Sequence, residues 1–143
     1  MHIRRISFVG VKTQSFDAMA DFARDVLGLA PGHRDDGWAV FQLASGDRDL
    51  FEVYRPGHYD ERLLPSEAGG LTIAFGVDDL LEARAELLTA GIEIVADTVW
   101  AAEAFDDPRL EGFGWLFFRA PDGQVYVMQQ DHAPPAPGER GDA

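Results

Sequence analysis

The sequence predicts an α+β fold made of two tandem βαβββ modules. One observation is a hairpin pattern near the C-terminus, where the aromatic and β-branched runs 115–119 and 125–129 flank the turn Pro-Asp-Gly at 121–123. The other is an earlier copy of this pattern, at 38–43 and 49–54. Together with the strand and helix that precede each hairpin, these patterns form an internal repeat of about 65 residues.

The first module opens with an alternating run at 3–11, which predicts a β-strand. Ser15 is the predicted N-cap of a helix, and apolar residues follow it at helical spacing up to Gly28. Glycine there can take the left-handed conformation that ends a helix. The segment 30–37 is rich in turn residues and leaves room for a short strand before the hairpin.

The second module repeats this order. The run 71–77 predicts a strand, Asp78 predicts the N-cap of a helix that ends at Gly91, and 92–99 predicts another strand. The segment 96–113 is longer than a usual hairpin loop, and its length indicates a lid. The C-terminal hairpin completes the module.

The two modules, together with the positions of the Pro- and Gly-rich segments, predict a single domain over residues 1–131. Module 1 covers about 3–56 and module 2 about 70–131. The proline- and glycine-rich segment 57–69 is the predicted linker. The proline-rich, polar segment 132–143 is predicted to be a disordered tail.

Composition excludes several classes of protein. The chain contains no cysteine, which excludes disulfides and thiolate sites and agrees with a cytoplasmic protein. Its 25 acidic and 12 basic residues give a formal net charge of −13, which repels nucleic acid. No apolar run is long enough for a membrane span or a signal peptide. We therefore expect a soluble cytoplasmic protein with neither nucleic acid nor membrane as partner.

Two local motifs connect this repeat to a known family. Residues 22–29 read Phe-Ala-Arg-Asp-Val-Leu-Gly-Leu and residues 120–123 read Ala-Pro-Asp-Gly. With the tandem modules, they resemble the vicinal oxygen chelate superfamily, which includes glyoxalase I, extradiol dioxygenases and bleomycin-resistance proteins. The resemblance covers residues 4–130. It implies a cupped mixed sheet with the helices outside, a small-molecule ligand inside, and a homodimer.

Metal-dependent members of that superfamily present one ligand from the first and last strand of each module. Alignment to this pattern places Phe8, Glu52, Thr72 and Val127 in the four positions. A benzyl and an isopropyl group have no lone pair to offer, and a divalent ion usually takes about three or more protein ligands. The sequence therefore predicts no metal site and no cofactor. A slip of one residue in the strand 49–54 would place Phe51 in the cup instead of Glu52.

The remaining candidates for a binding site are aromatic. Flat aromatic surfaces and one carboxylate suit a planar or cationic organic ligand. Glu52 is also the candidate catalytic residue, as a general base or a metal ligand. The predicted ligand-binding residues are Phe8, Trp38, Glu52, Tyr54, Thr72, Trp100, Phe113, Trp115 and Val127.

Three functions remain open from the sequence. The first is a metal-independent binder of an aromatic or cationic molecule, similar to the bleomycin-resistance proteins. The second is an enzyme of the same superfamily, of the lyase, isomerase or dioxygenase type, that uses Glu52. The third is an assembly module without a ligand, for which a small closed cavity and a large apolar dimer face would be the evidence. Residue by residue, Trp38 and Trp115 can serve packing, Phe8 can fill the cup, and Glu52 can be a solvated strand residue.

Overall fold

A computed structural model describes residues 1–43, 50–57 and 70–132. Over these ranges the chain forms the order βαβββ twice, which confirms the predicted α+β class. The first repeat consists of β1 (Ile3–Lys12), α1 (Phe16–Asp25), β2 (Ala30–Arg34), β3 (Trp38–Gln42) and β4 (Leu50–Tyr54). The second consists of β5 (Leu71–Val77), α2 (Leu80–Thr89), β6 (Glu93–Trp100), α3 (Ala101–Ala104), a 3₁₀ turn (Pro108–Leu110), β7 (Gly114–Arg119) and β8 (Val125–Gln130). The predicted turn between β3 and β4, the predicted linker after Gly57 and the predicted tail after His132 lie outside the described residues.

The described residues between 6 and 74 form one compact unit. Its strands lie in the order β2-β3-β4-β1, with β1 parallel to β4 and the other neighbours antiparallel. The register pairs Glu52 of β4 with Gly10 of β1 on one side and with Val40 of β3 on the other. Residues paired in this way point to the same face of a sheet. Gly10, Val40 and Glu52 therefore share one face.

Helix α1 covers the opposite face of this unit. The buried core there consists of Phe16, Ala20 and Ala23 from the helix and of Ala39, Phe41 and Val53 from the strands. Because side chains alternate between the two faces of a strand, the residues next to these core positions point away from α1.

Strand β2 is the outermost strand of this unit. All five of its residues are exposed, and its pairing with β3 is interrupted between Pro31 and Arg34. Arg34 forms ion pairs with Asp17 and Asp21 of α1, at 3.2 and 2.8 Å. The segment predicted to hold only a short strand thus forms an irregular edge.

Residues 1–5 and 75–132 form the other compact unit, with strands in the order β5-β8-β7-β6. The side chain of Gln130, on β8, connects the start of α2 to Gly112, just before β7. The side-chain oxygen of Gln130 accepts the backbone N–H of Leu80 at 2.8 Å, and its amide nitrogen donates to the carbonyl of Gly112 at 2.8 Å. Leu80 is the first residue of α2, so this bond satisfies an N–H group that a helix leaves unpaired at its start. The buried core of this unit consists of Val77, Leu80, Ala83, Leu87, Leu116, Phe118 and Met128.

The start of α2 corrects one prediction. Asp79, and not Asp78, is the N-cap, since its side chain accepts the backbone N–H of Glu82 at 3.0 Å. Asp78 instead pairs with Arg4 at 2.6 Å. Adjacent aspartates are equally suited to capping, so the sequence alone could not choose between them. In the described part of the chain no helix is both long and apolar enough to cross a membrane.

The segment 96–113, which the sequence predicts to be a lid, consists mainly of regular secondary structure. Strand β6 extends through its first part and pairs with β7 as far as Trp100 opposite Gly114. Helix α3 and the 3₁₀ turn occupy the rest. The strand predicted at 92–99 is thus present with its bounds shifted by one residue, and the role of the segment as a lid stays a prediction.

Candidate functional site

Glu52 is a buried carboxylate on the face of β4 that points away from α1. It is 5% exposed. Its neighbours Phe51 and Val53 pack into the core on the other face. The alternative register, in which Phe51 would take the place of Glu52, does not occur in β4.

Two aromatic side chains hold the Glu52 carboxylate. Trp38 of β3 donates its indole N–H to Oε1 at 2.9 Å, and Tyr54 of β4 donates its hydroxyl to Oε2 at 2.8 Å. Trp38 and Tyr54 are partners across the two strands, and the two-residue period of a strand places Tyr54 on the same face as Glu52. The structure thus brings three of the predicted site residues into one hydrogen-bonded group.

Burial raises the pKa of the Glu52 carboxyl above its ordinary value, because the ionised form loses its hydration. The hydrogen bonds from Tyr54 and Trp38 act in the opposite direction, since they stabilise the carboxylate, but the effect of burial is larger. A carboxyl group in this setting can take up or release a proton closer to neutral pH than an exposed glutamate does.

Replacing Glu52 with glutamine is expected to raise the free energy of unfolding by about 1–2 kcal/mol at neutral pH, since the amide has no charge to desolvate. The glutamine oxygen can accept the Trp38 N–H, and its amide nitrogen can donate to the Tyr54 oxygen. Urea unfolding of both proteins over a series of pH values measures the difference.

The sign of the pH dependence follows from the raised pKa of Glu52. Between the ordinary and the raised value the folded protein binds more protons than the unfolded chain, so wild-type stability falls as the pH rises through that interval. Glu52→Gln lacks this fall, and its advantage should appear only above the interval. Glu103→Gln, at an exposed glutamate of α3, should show no such difference. If the free energy of unfolding of Glu52→Gln exceeded that of the wild type by the same amount at every pH, the expectation would be contradicted.

Phe8 lies two residues before Gly10, the partner of Glu52, on β1. The strand partner of Phe8 is Leu50, whereas the partner of Glu52 is Gly10. Thr72, on β5, is buried. Phe8 contributes to an apolar cavity of about 500 Å³ in this unit, lined by Ile6, Phe8, Val9, Leu27, Leu29, Leu43, Leu50 and Phe51.

The other predicted site residues belong to the second unit. Trp100 packs against its core, and its ring lies so close to Gly114 that a Cβ there would stand 2.5 Å from Trp100 Cε3. The rings of Phe113 and Trp115 are in contact, with centroids 5.3 Å apart and a 55° tilt. Val127 is buried in β8. Phe113 and Trp115 are thus brought together, and Trp100 has a packing role.

The residues around Glu52 do not fit a divalent cation. Its strand partners Gly10 and Val40 have no nitrogen or oxygen in their side chains, and both carboxylate oxygens already accept hydrogen bonds from Trp38 and Tyr54. A protein site for such an ion usually supplies about three or more donors. Within residues 1–43, 50–57 and 70–132, no three His, Asp or Glu side chains are placed to hold one.

One neighbour of the site was not singled out from the sequence. The ring of His33 lies against Trp38 with centroids 4.7 Å apart, and its Nε2 is 2.9 Å from Asp35 Oδ2. Asp35 also accepts the backbone N–H of Trp38 at 2.8 Å. The turn signal around Asp35 was visible in the sequence, but the contact of His33 with Trp38 depends on the irregular pairing of β2 with β3.

The comparisons with known proteins agree with this fold. The family model described as Glyoxalase/Bleomycin resistance protein/Dioxygenase superfamily matches residues 5–125. The Mn(II)-bound glyoxalase from Novosphingobium aromaticivorans is similar at a TM-score of 0.68 and 20% identity, covering 96% of this chain and 43% of that chain. Methylmalonyl-CoA epimerase from Streptomyces coelicolor, in complex with 2-nitronate-propionyl-CoA, is similar at 0.65 and 19% identity, covering 90% and 97%. Hypothetical protein BH1468 from Bacillus halodurans C-125 is similar at 0.61 and 20% identity, covering 87% and 92%.

At these identities the solved structures show the fold alone, and the chain spans less than half the length of the glyoxalase chain, 43% of it. No curated protein matches in sequence. The fold defines a protein of two βαβββ modules, as the resemblance to the vicinal oxygen chelate superfamily implied. With the match over residues 5–125, the chain belongs to the glyoxalase/bleomycin resistance protein/dioxygenase superfamily.

Proposed function

We propose that this protein binds a small organic ligand that carries an aromatic ring and a positive charge, and that it does so without a metal ion. Glu52 is the proposed anchor for the charge, with Trp38 and Tyr54 beside it. The observation that carries the proposal is the buried Glu52 carboxylate, which pairs with two neutral donors and with no cation among the described residues.

The energetics of Glu52 support a cationic ligand. A buried carboxylate is costly unless opposite charge or several hydrogen bonds compensate it. Trp38 and Tyr54 each supply one neutral donor. A ligand cation would supply the missing charge, and a charge-assisted hydrogen bond is stronger than a neutral one. The net charge of −13 adds a long-range attraction for cations.

Aromatic side chains support the second part of the proposal. Trp38 is half-buried, and its ring is fixed by the bond from its N–H to Glu52. A cation or a ring placed on such a face is attracted by the π-system as well as by the carboxylate. The further proposed contacts in the same compact unit are Phe8 and Thr72.

Calorimetric titration with benzylamine, which is the benzylammonium cation at neutral pH, tests the proposal, with benzyl alcohol and benzoate as neutral and anionic counterparts. We expect the cation to bind most tightly and its affinity to fall as Glu52 is protonated at lower pH. Glu52→Gln should weaken the binding by at least about tenfold, or ~1.4 kcal/mol. Glu103→Gln should leave it unchanged. Equal affinity for all three compounds, or for the wild type and Glu52→Gln, would overturn the proposed role of Glu52.

Elemental analysis tests the metal-independent part separately. Protein purified without a chelator should contain far less than one equivalent of any divalent metal, and dialysis against a chelator should leave the affinity for the cation unchanged. Stoichiometric metal, or a loss of binding after dialysis, would overturn this part.

A second candidate function is proton transfer by Glu52, and the raised pKa of that residue favours it. In this case the carboxylate would remove a proton from carbon next to a carbonyl group and become a carboxylic acid. The electron pair of the C–H bond would form the enolate, and the proton would return to carbon. The fold similarity to methylmalonyl-CoA epimerase suggests an acyl thioester as the first substrate to test.

Proton exchange distinguishes this candidate from simple binding. Methylmalonyl-CoA incubated with the protein in D₂O should lose its C–H signal in the proton NMR spectrum, and Glu52→Gln should abolish the exchange. A protein that binds organic cations and exchanges no proton in this assay is a binder and not an epimerase.

We also propose an intracellular homodimer, which the resemblance to the superfamily supports. Light scattering coupled to size-exclusion chromatography should give about twice the monomer mass of 15.7 kDa. A monomer mass at micromolar concentration would contradict the dimer without affecting the proposed ligand.

A further inference from the structure

We infer that Gly10 is a positioning residue for Glu52, because the absence of a side chain at Gly10 leaves the space in which the Tyr54 ring reaches the carboxylate. Gly10 is the partner of Glu52 across the parallel strands β1 and β4. Nothing in the sequence pattern assigns it a role beyond that of a small residue in a strand.

The geometry of Tyr54 requires this space. Tyr54 and Glu52 are two residues apart on one strand, or about 6.6 Å along it. The Tyr54 hydroxyl nevertheless donates to Glu52 Oε2 at 2.8 Å, so the ring is tilted back along the sheet toward Glu52. It then lies over Gly10: a Cβ on Gly10 would stand 2.5 Å from Tyr54 Cε2, 3.4 Å from Cζ and 3.5 Å from Cδ2.

An alanine at Gly10 must therefore displace the ring. A separation of 2.5 Å between carbon atoms is far inside van der Waals contact, where the optimum is about 3.5–4.0 Å. Tyr54 is 5% exposed and has two side-chain torsions, so its ring cannot bend aside while its hydroxyl stays in place. The hydroxyl has to leave Glu52, and the cover that the ring gives to the carboxylate is lost with it.

Two substitutions separate the roles of the ring and of the hydroxyl. Tyr54→Phe keeps the ring and removes the hydrogen bond that stabilises the carboxylate, so the pKa of Glu52 should rise further. Gly10→Ala displaces the ring and admits water, so the pKa of Glu52 should fall toward its ordinary value.

The experiment is a pH titration of the Glu52 side-chain carboxyl by ¹³C NMR in the full chain. The expected result is a shift of opposite sign in Gly10→Ala and in Tyr54→Phe. Val9→Ala, on the other face of the same strand, is the control and should leave the Glu52 pKa unchanged even where it lowers stability. A Glu52 pKa in Gly10→Ala equal to that of the wild type, or raised, would overturn the inference.

A double-mutant cycle covers the case in which Gly10→Ala does not fold. With Tyr54 present, Gly10→Ala should lower the folding equilibrium constant by at least about tenfold. In a Tyr54→Leu background it should lower the constant by less than about threefold, because no ring occupies the space. Loss of folding in both backgrounds, or an equal cost in both, would overturn the inference. The inference rests on the proposed role of Glu52 in binding, but neither measurement uses a ligand, so the two can fail independently.

Discussion

Replacing Phe41 with alanine is expected to lower the free energy of unfolding by about 3–5 kcal/mol, the usual cost of removing a large aromatic side chain from a core. Phe41 is 2% exposed and packs with Phe16 of α1 and Val53 of β4. The cavity left behind would be lined by groups fixed on two strands and a helix, which have little freedom to close it. Urea unfolding followed by circular dichroism measures the change.

Val26→Ala is the matched control, in the same unit but at a side chain that is 69% exposed. It should change the free energy of unfolding by no more than about 0.5 kcal/mol. The Phe41 substitution should also loosen the site, because Phe41 and Trp38 lie on the same strand, β3. A cost below about 1 kcal/mol would show that Phe41 is not packed as described.

Replacing Gln130 with leucine is expected to lower the free energy of unfolding by about 2–4 kcal/mol, because a buried N–H group and a partly buried carbonyl would lose their partners at once. The N–H of Leu80 and the carbonyl of Gly112 both bond to the Gln130 side chain at 2.8 Å. Leucine has a similar volume, so the change isolates the hydrogen bonds from the packing.

Hydrogen exchange shows where in the chain the Gln130 substitution acts, whereas unfolding measures how large its effect is. The first amides of α2 should exchange faster in Gln130→Leu than in the wild type, whereas those of α1 should not change. Gln124→Leu, at an exposed glutamine in the turn before β8, should affect neither stability nor exchange by a comparable amount. Unchanged exchange at Leu80 in Gln130→Leu would contradict the capping role.

Much of the fold was predictable from the sequence because each element depends on local chemistry. Alternation along the strands, the positive φ of Gly28 and Gly91, at 70° and 77°, and the repeated hairpin pattern are all local features. The errors arose where two neighbouring residues serve equally well, as at Asp78 and Asp79.

The site was predictable in part for the same reason. Alternation in the 49–54 strand placed Glu52 and Tyr54 on one face, and the hairpin pattern placed Trp38 across from them. Gly10 could not be found in this way, because the relative position of β1 and β4 depends on tertiary pairing of segments about 40 residues apart in the chain. The tilt of the Tyr54 ring over Gly10 follows from that pairing and from packing, neither of which has a sequence pattern.

The hydrogen bonds of Glu52 separate it from a typical metal ligand. Trp38 can donate but cannot accept, so it favours a carboxylate oxygen in a fixed orientation. A metal ion would have to compete with that N–H and with the Tyr54 hydroxyl for the same two oxygens. The ligand proposed above would instead approach the remaining lone pairs of the carboxylate with an N–H group.

The exposed strand β2 has a consequence for the behaviour of the protein at high concentration. An edge strand with free backbone groups can template pairing with another chain and so start aggregation. Pro31 has no N–H to offer, and the register shift before Arg34 bends the edge away from a regular ladder. The charged Arg34 side chain adds a barrier to a second strand. Strand β2 is thus protected against edge-to-edge association, and a Pro31→Val variant should aggregate at a lower concentration than the wild type.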